Sequence, residues 1–432
     1  MPFRSTAPKP GAYLAFICLS LSLDSLAQSI SFPFLPRLAQ SLVGGDPVAG
    51  AGWVGWLEVG WALPQLLAAP LLGALSDRYG RRPVIVASLF GVSVELLLNA
   101  LAPDIGWLLV GRMLCGMTCG AQAASFAYVA DVTDSVERAQ AYALAGAALW
   151  AGVIVGPAIG GLLAQVDLRT PFWAAAVVAL LAAAYGVIAL PESLALPSLA
   201  PLRWRSATPL GAMRLVFGTP SLACLGGAFL LSALAFQGKD NMLALYTAYR
   251  YHWTSLDLGL FVTVLASGGL VVQAYLARRV VAAMGETSAV LAGLCLQALG
   301  MAVMGAASTG EAFGLANVPA VLGALADPAL RALMSQGAPA SEQGRLQGGL
   351  ATITSASGVI APVAFTQIFA WSIGQHGARW AGLTLFIGAI LSTLALGFVI
   401  LEKHRRGGWG RRLRPRHPIQ PQGSRPKLHN DR

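Results

Sequence analysis

The sequence predicts an all-α membrane protein of twelve transmembrane helices arranged as two six-helix halves. Three observations predict it: a composition too apolar to face water, apolar stretches of spanning length along nearly the whole chain, and arginines that alternate with them. Of the 432 residues, 56% are hydrophobic and 11% charged, whereas soluble domains carry about 25% charged residues. Mean hydropathy is +0.64. Apolar runs of roughly 20 residues are what membrane-spanning helices require. Runs such as 177–184 (VVALLAAA) do not alternate apolar with polar, so they read as helix and not as barrel strand. The 49 glycines and 25 prolines would break soluble helices. In a membrane bundle small residues let helices pack closely and neighbours tolerate kinks.

The first six spans are placed at 13–35, 53–75, 84–102, 105–129, 139–164 and 171–190, and the second six at 222–247, 258–282, 288–308, 311–333, 344–372 and 378–401. The first stretch is too long for a signal-peptide core, carries Asp24, and leads into Arg37 instead of a small-residue cleavage site, so it reads as a retained span. Residues 1–190 then form the N-terminal half, 191–218 a Pro- and Arg-containing cytoplasmic linker, and 219–401 the C-terminal half. Residues 402–432 form a basic cytoplasmic tail whose Arg- and Pro-rich composition reads as disordered.

With both termini cytoplasmic, 23 of the 29 Lys and Arg fall on the cytoplasmic side, and the opposite loops hold only Arg37, Arg169, Arg250 and Arg379. That is the positive-inside pattern of an inner-membrane protein with an even number of spans. The net charge of +10 is therefore a topology and lipid-contact signal and not a nucleic-acid one. The five cysteines all lie inside spans, so neither disulfides nor a metal site is expected. The halves echo one another at an offset of about 200 residues: Gly152 to Pro157 resembles Gly358 to Pro362, and Asp131 resembles Asp327.

Three motifs carry the chemistry. The first is the loop between spans 2 and 3, with Gly73, Asp77, Arg78, Gly80, Arg81 and Arg82. Glycine permits the tight turn, and an aspartate facing arginines makes a charge latch between moving elements. A degenerate copy follows span 8, around Arg278, Arg279 and Gly285. The second is the glycine series of span 5, Gly152, Gly156, Gly160 and Gly161 with Pro157, which flattens a helix face and kinks it. The third is Arg112 in span 4, roughly 10 Å along its helix at 1.5 Å per residue. An arginine inside hydrocarbon is a functional group by default.

Asp24 and Glu95 lie about eleven residues from the inner ends of spans 1 and 3, roughly 16 Å deep. Carboxyl groups at that depth can bind and release protons. They are read as the pair that carries the proton or a cationic substrate, with Glu58 in the outer part of span 2 a lesser candidate. Lys239 and Asp240 in span 7 are adjacent and so point about 100° apart, which argues against simple side-by-side neutralisation; one facing the cavity between the halves while the other snorkels or pairs elsewhere, and a structural ion pair, stand as equal readings. Gln65, Gln237, Asn241, Gln273 and Gln297 add polar groups near the same cavity. The tryptophans, Trp61 among them, read as interface or packing residues.

Together the three motifs resemble those of the major facilitator superfamily over roughly residues 12–400. The segments 285–291 (GETSAVL) and 343–362 resemble its tetracycline/proton antiporter branch. The resemblance implies the major facilitator fold, with an exchange of protons for a small amphipathic compound by alternating access between two rocking halves. It also implies no cofactor and function as a monomer. The span 5 motif favours export, and uptake of a metabolite is the alternative. The chain departs from the branch at Gly269, where a histidine is usual, at Gln297, where an aspartate is usual, and in the charged Lys239 and Asp240. A membrane-embedded enzyme would need a metal-ligand or nucleophile constellation, and the spans carry none of the usual motifs.

Overall fold

The computed structural model describes residues 10–134, 137–193, 209–337 and 342–412, and among these there is helix and turn but no strand. The first span is α1 (Pro10–Ser31), which passes through a 3-10 turn (Phe32–Phe34) into α2 (Leu35–Leu42). Pro33 and Pro36 each remove a backbone donor there, which ends regular helix. Next comes α3 (Pro47–Tyr79), started by the Asp46 side chain accepting from the Val48 N–H. It bends by 46° between Ala69 and Leu71. Gly80 alone, at φ 107°, turns the chain into α4 (Arg81–Leu101). The fourth span is split into α5 (Ile105–Thr118) and α6 (Ala121–Val132), and α7 (Arg138–Leu163) and α8 (Thr170–Ile188) complete the set.

A short α9 (Pro209–Val216) precedes α10 (Pro220–Tyr251), which is capped by Thr219. The eighth span is α11 (Ser255–Val271), a π-helical turn (Val272–Leu276) and α12 (Ala277–Met284). Then follow α13 (Glu286–Ala306), α14 (Gly310–Gly323), α15 (Ala326–Gln336), α16 (Gln343–His376) and α17 (Leu383–Arg412). Ten helices among the described residues are long and apolar enough to cross a membrane, eleven with the bent α3 as one span. The expected fourth span is present as two consecutive helices, each too short to cross alone. The last helix runs past residue 401 to Arg412; the rest of the expected tail, and linker residues 194–208, lie outside the described residues.

The internal repeat is visible in the backbone. Gly285, at φ 77°, turns α12 into α13 as Gly80 turns α3 into α4. The tenth span breaks between α14 and α15 as the fourth does between α5 and α6. The same offset separates Gly80 from Gly285 and Pro157 from Pro362.

The apolar cores show how the halves meet. At the end of the bundle that carries the termini, each half has its own core: Ile17, Ile85 and Tyr128 in one, Leu225, Met334 and Leu350 in the other. At the opposite end a single core joins them, with Phe34, Leu57 and Phe172 packed in the same cluster as Tyr246, Phe313 and Phe369. The hydrogen bonds described between the halves are all toward that end. Arg37 donates to the Trp253 carbonyl (2.6 Å) and to Ser255 Oγ (3.0 Å), Gln367 to the Gly52 carbonyl (3.0 Å), and Thr263 to the Ile154 carbonyl (3.0 Å). The halves are thus sealed away from the termini.

Candidate functional site

Beneath that seal lies a cavity of about 280 Å³ between the halves. Glu58 of α3 lines it from one side, and Lys239, Asp240 and Asn241 of α10 line it from the other. Gln273, Gln297 and Asn317 add polar groups, and Trp150 and Phe236 add aromatic wall. A second cavity of about 340 Å³ shares Phe32, Pro33 and Val262 with the first and is lined by Trp61, Glu95, Asn99 and Arg112.

Arg112 organises the N-terminal half of the site. It projects inward from α5 and is 6% exposed. Its Nη2 donates to both Glu58 oxygens (3.2 and 3.3 Å), and its Nη1 donates to Glu95 Oε1 at 3.3 Å. Asn99, one turn along α4 from Glu95, donates to the same Glu95 oxygen at 3.2 Å. Trp61, one turn along α3 from Glu58, lies with its ring 5.3 Å from the guanidinium carbon. All three charged side chains are under 10% exposed. One buried arginine therefore serves two buried carboxylates.

Several expectations change here. Asp24 and Glu95, expected as a pair, are not partnered: Asp24 is held by Gln28 Nε2 at 2.9 Å, and Glu95 belongs to Arg112. Asp24 lines neither cavity, although Gln28 lines the second. Glu58, ranked below them from sequence, is a direct partner of Arg112. Trp61 stacks on that arginine instead of serving only as packing. Lys239 and Asp240 do form an ion pair, at 2.5 Å. The 100° offset between adjacent Cβ atoms is overcome by the four-carbon lysine stem, which bends back to reach its neighbour. Gln65 lies away from the central cavity, donating to Cys119 Sγ at 3.4 Å. Gln237 faces an adjoining cavity near Asp327, and its carbonyl accepts from Asn241. Gln297 is tied at both ends to Ser232. Asn317 carried no sequence signal.

The loop motif forms a latch inside the N-terminal half. Arg81 pairs with Asp77 and, through Nε, with Asp131 of α6 at 3.0 Å. The Arg81 and Arg82 N–H groups donate to the Glu192 carboxylate (2.9 and 3.2 Å), and Arg82 also donates to the Gly186 and Val187 carbonyls at the end of α8. Arg78 rests against Tyr79, and a Cβ at Gly73 would meet nothing within 4 Å. In the C-terminal half Asp327 pairs with Arg331, one turn along its own helix, at 2.9 Å.

The span 5 glycines set the helix spacing. Cβ atoms at Gly152, Gly156 and Gly160 would collide with the backbone of α1 between Ser22 and Ile30, and one at Gly161 would stand 2.9 Å from the Ser255 carbonyl. This helix, which carries Pro157 in its interior, is therefore wedged between the first span and the opposite half.

A family model described as Major Facilitator Superfamily matches residues 17–362. The chain is 33% identical over 398 residues to the class C tetracycline resistance protein of Escherichia coli, covering 92% of this chain and 98% of that one. It is 27% identical to multidrug resistance protein 1 of Bacillus subtilis (strain 168), covering 89% of this chain and 96% of that one. Among solved structures, the human organic anion transporter MFSD10 (TETRAN) aligns with a TM-score of 0.64 at 25% identity, covering 91% and 100% of the two chains. A D-xylose-proton symporter aligns with a TM-score of 0.71 at 16% identity, covering 90% and 97%, a likeness of fold alone.

Proposed function

The chain belongs to the major facilitator superfamily, and on that premise we propose that it exports small amphipathic compounds in exchange for protons. It works by alternating access, as a monomer of twelve spans in the inner membrane, with both termini and the 191–218 linker in the cytoplasm. The tetracycline and multidrug resistance relatives support export. The seal opposite the termini supports reading this structure as the form that loads from the cytoplasm.

The observation that carries the coupling is the charge count at Arg112. With both carboxylates ionised the cluster sums to −1, and burying an uncompensated charge is costly. One proton on Glu58 or Glu95 brings the sum to zero. Glu58 also lines the central cavity, so the proton and the substrate act on the same side chain. A proton taken up outside and a substrate loaded inside each stabilise an opposite-facing form of the carrier, and linkage makes that opposition reciprocal. Asp24, buried one helix away, is a second proton carrier in this reading.

The test is substrate-dependent dissipation of an imposed pH gradient in proteoliposomes, with tetracyclines, phenicols and lipophilic cations as the panel. The unmodified protein dissipates the gradient, and Glu58→Gln, Glu95→Gln and Asp24→Asn lose that response. Full flux in all three variants would remove the carboxylates from the mechanism. Substrate moving with the proton instead of against it would make the protein an uptake carrier.

A further inference from the structure

The two walls of the central cavity are not equivalent in charge. On the N-terminal side Glu58 lines the cavity, and the cation behind it, Arg112, is paired with two carboxylates. On the C-terminal side Lys239 has one ionic partner, Asp240, on the next residue of its own helix. The pair is lopsided. The Lys239 side chain is 8% exposed and the Asp240 side chain 40%. The ammonium is enclosed, with the Phe236 ring 5.3 Å away, while its carboxylate sits at the open edge of the cavity. An enclosed cation must keep an anion, whereas an exposed anion can turn to water without losing much. Across the same cavity Asn317, 1% exposed, donates to the Phe313 carbonyl through Nδ2, and its Oδ1 has no partner. A buried amide oxygen left free in a cavity wall is a site for a ligand donor.

We propose that Lys239 is the substrate-selecting residue of this cavity, and that it takes an amphipathic compound carrying an acidic group, whose anion displaces Asp240 from the ammonium. A hydroxyl or N–H of the same compound donates to Asn317, and its apolar body lies against Phe236 and Trp150. This deepens the export reading and rests on it for the identity of the cavity as the substrate site.

The probes are 1-pyrenebutyrate, its uncharged methyl ester and 1-pyrenemethylammonium. Each is titrated at pH 7 against the full chain in nanodiscs, with empty nanodiscs subtracted and tryptophan-to-pyrene transfer as the signal. The carboxylate binds at least about tenfold more tightly than the ester, the advantage of a charge-assisted contact. Lys239→Gln abolishes that preference, Lys239→Arg keeps it, and Asp240→Asn strengthens carboxylate binding by removing the internal competitor. The double variant Lys239→Gln with Asp240→Asn leaves no unpaired charge, so it folds even where the single variant does not, and it also shows no preference. Equal binding of acid and ester by the unmodified protein overturns the proposal, as does a preference that survives in the double variant or tightest binding of the ammonium probe. The two readings fail separately. Absence of proton flux with an intact acid preference sinks antiport alone, and flux driven by uncharged compounds without acid preference sinks this assignment alone.

Discussion

Replacing Arg112 by glutamine tests whether the buried cluster is organised by charge balance. Arg112 makes three hydrogen bonds to two carboxylates that are each under 10% exposed. Its loss leaves Glu58 and Glu95 facing the same space with no countercharge. Breaking a buried pair by removing one partner costs about 3–5 kcal/mol, and a second orphaned carboxylate places this variant at the upper end. Glu58→Gln does the opposite. It leaves Arg112 with Glu95, a neutral pair still supported by Asn99, so its stability stays within about 1 kcal/mol of the parent. The triple variant Arg112→Gln, Glu58→Gln, Glu95→Gln keeps side chains of similar shape with no charge, and it recovers most of the loss without regaining proton coupling. The assay is the fraction of monomer surviving graded heating in detergent, read by size exclusion, beside proton flux in proteoliposomes. The expected order is Glu58→Gln level with the parent, the triple variant below it, and Arg112→Gln lowest. If Arg112→Gln survives heating as the parent does, or if the triple variant is no more stable than Arg112→Gln, the charge-balance argument is wrong.

Three further outcomes follow from contacts elsewhere. Arg37→Gln removes charge-assisted bonds to the 253–255 turn, each worth about 1.5–3 kcal/mol. The halves then open more often away from the termini, and an Ala266→Cys reporter in a cysteine-free background reacts at least about tenfold faster with an impermeant thiol reagent added outside; an unchanged rate would free Arg37 of any sealing role. Gly156→Ala would set a Cβ 2.5 Å from Ser29 Cβ and 2.8 Å from the Ser29 carbonyl carbon, costing about 1–3 kcal/mol of overpacking. Gly146→Ala, which meets nothing within 4 Å, is silent in the same melting assay, and equal effects at the two positions would refute the wedge. Arg81→Gln and Asp131→Asn each lower transport, and the double variant is no worse than either alone, the non-additivity of one shared contact; additive losses would mean that the Arg81–Asp131 pair is not a unit.

The sequence showed features that depend on local chemistry and period, and it hid those that depend on reach and tertiary approach. Span positions, the Gly80 turn and its Gly285 copy were legible because hydrophobic length and a positive φ leave direct marks on residue type. Counting residues gives a position along a helix axis but not a lateral one: Asp24 and Glu95, each about eleven residues from the inner end of its expected span, find different partners. The Glu58–Arg112 contact spans 54 residues of chain, and nothing at position 58 distinguishes a glutamate aimed into the bundle from one near its rim. The span 4 break was hidden for a related reason: Gly120 bonds through its N–H to Ser88 Oγ at 3.2 Å, a partner that only tertiary packing supplies. The Lys239–Asp240 pair shows the limit of angular reasoning most clearly. Helical geometry fixes where a Cβ points, but a lysine ammonium lies four carbons beyond it, far enough to double back. The same flexibility would let that ammonium take a second anion without moving the helix, which is the exchange the proposed selectivity at Lys239 requires.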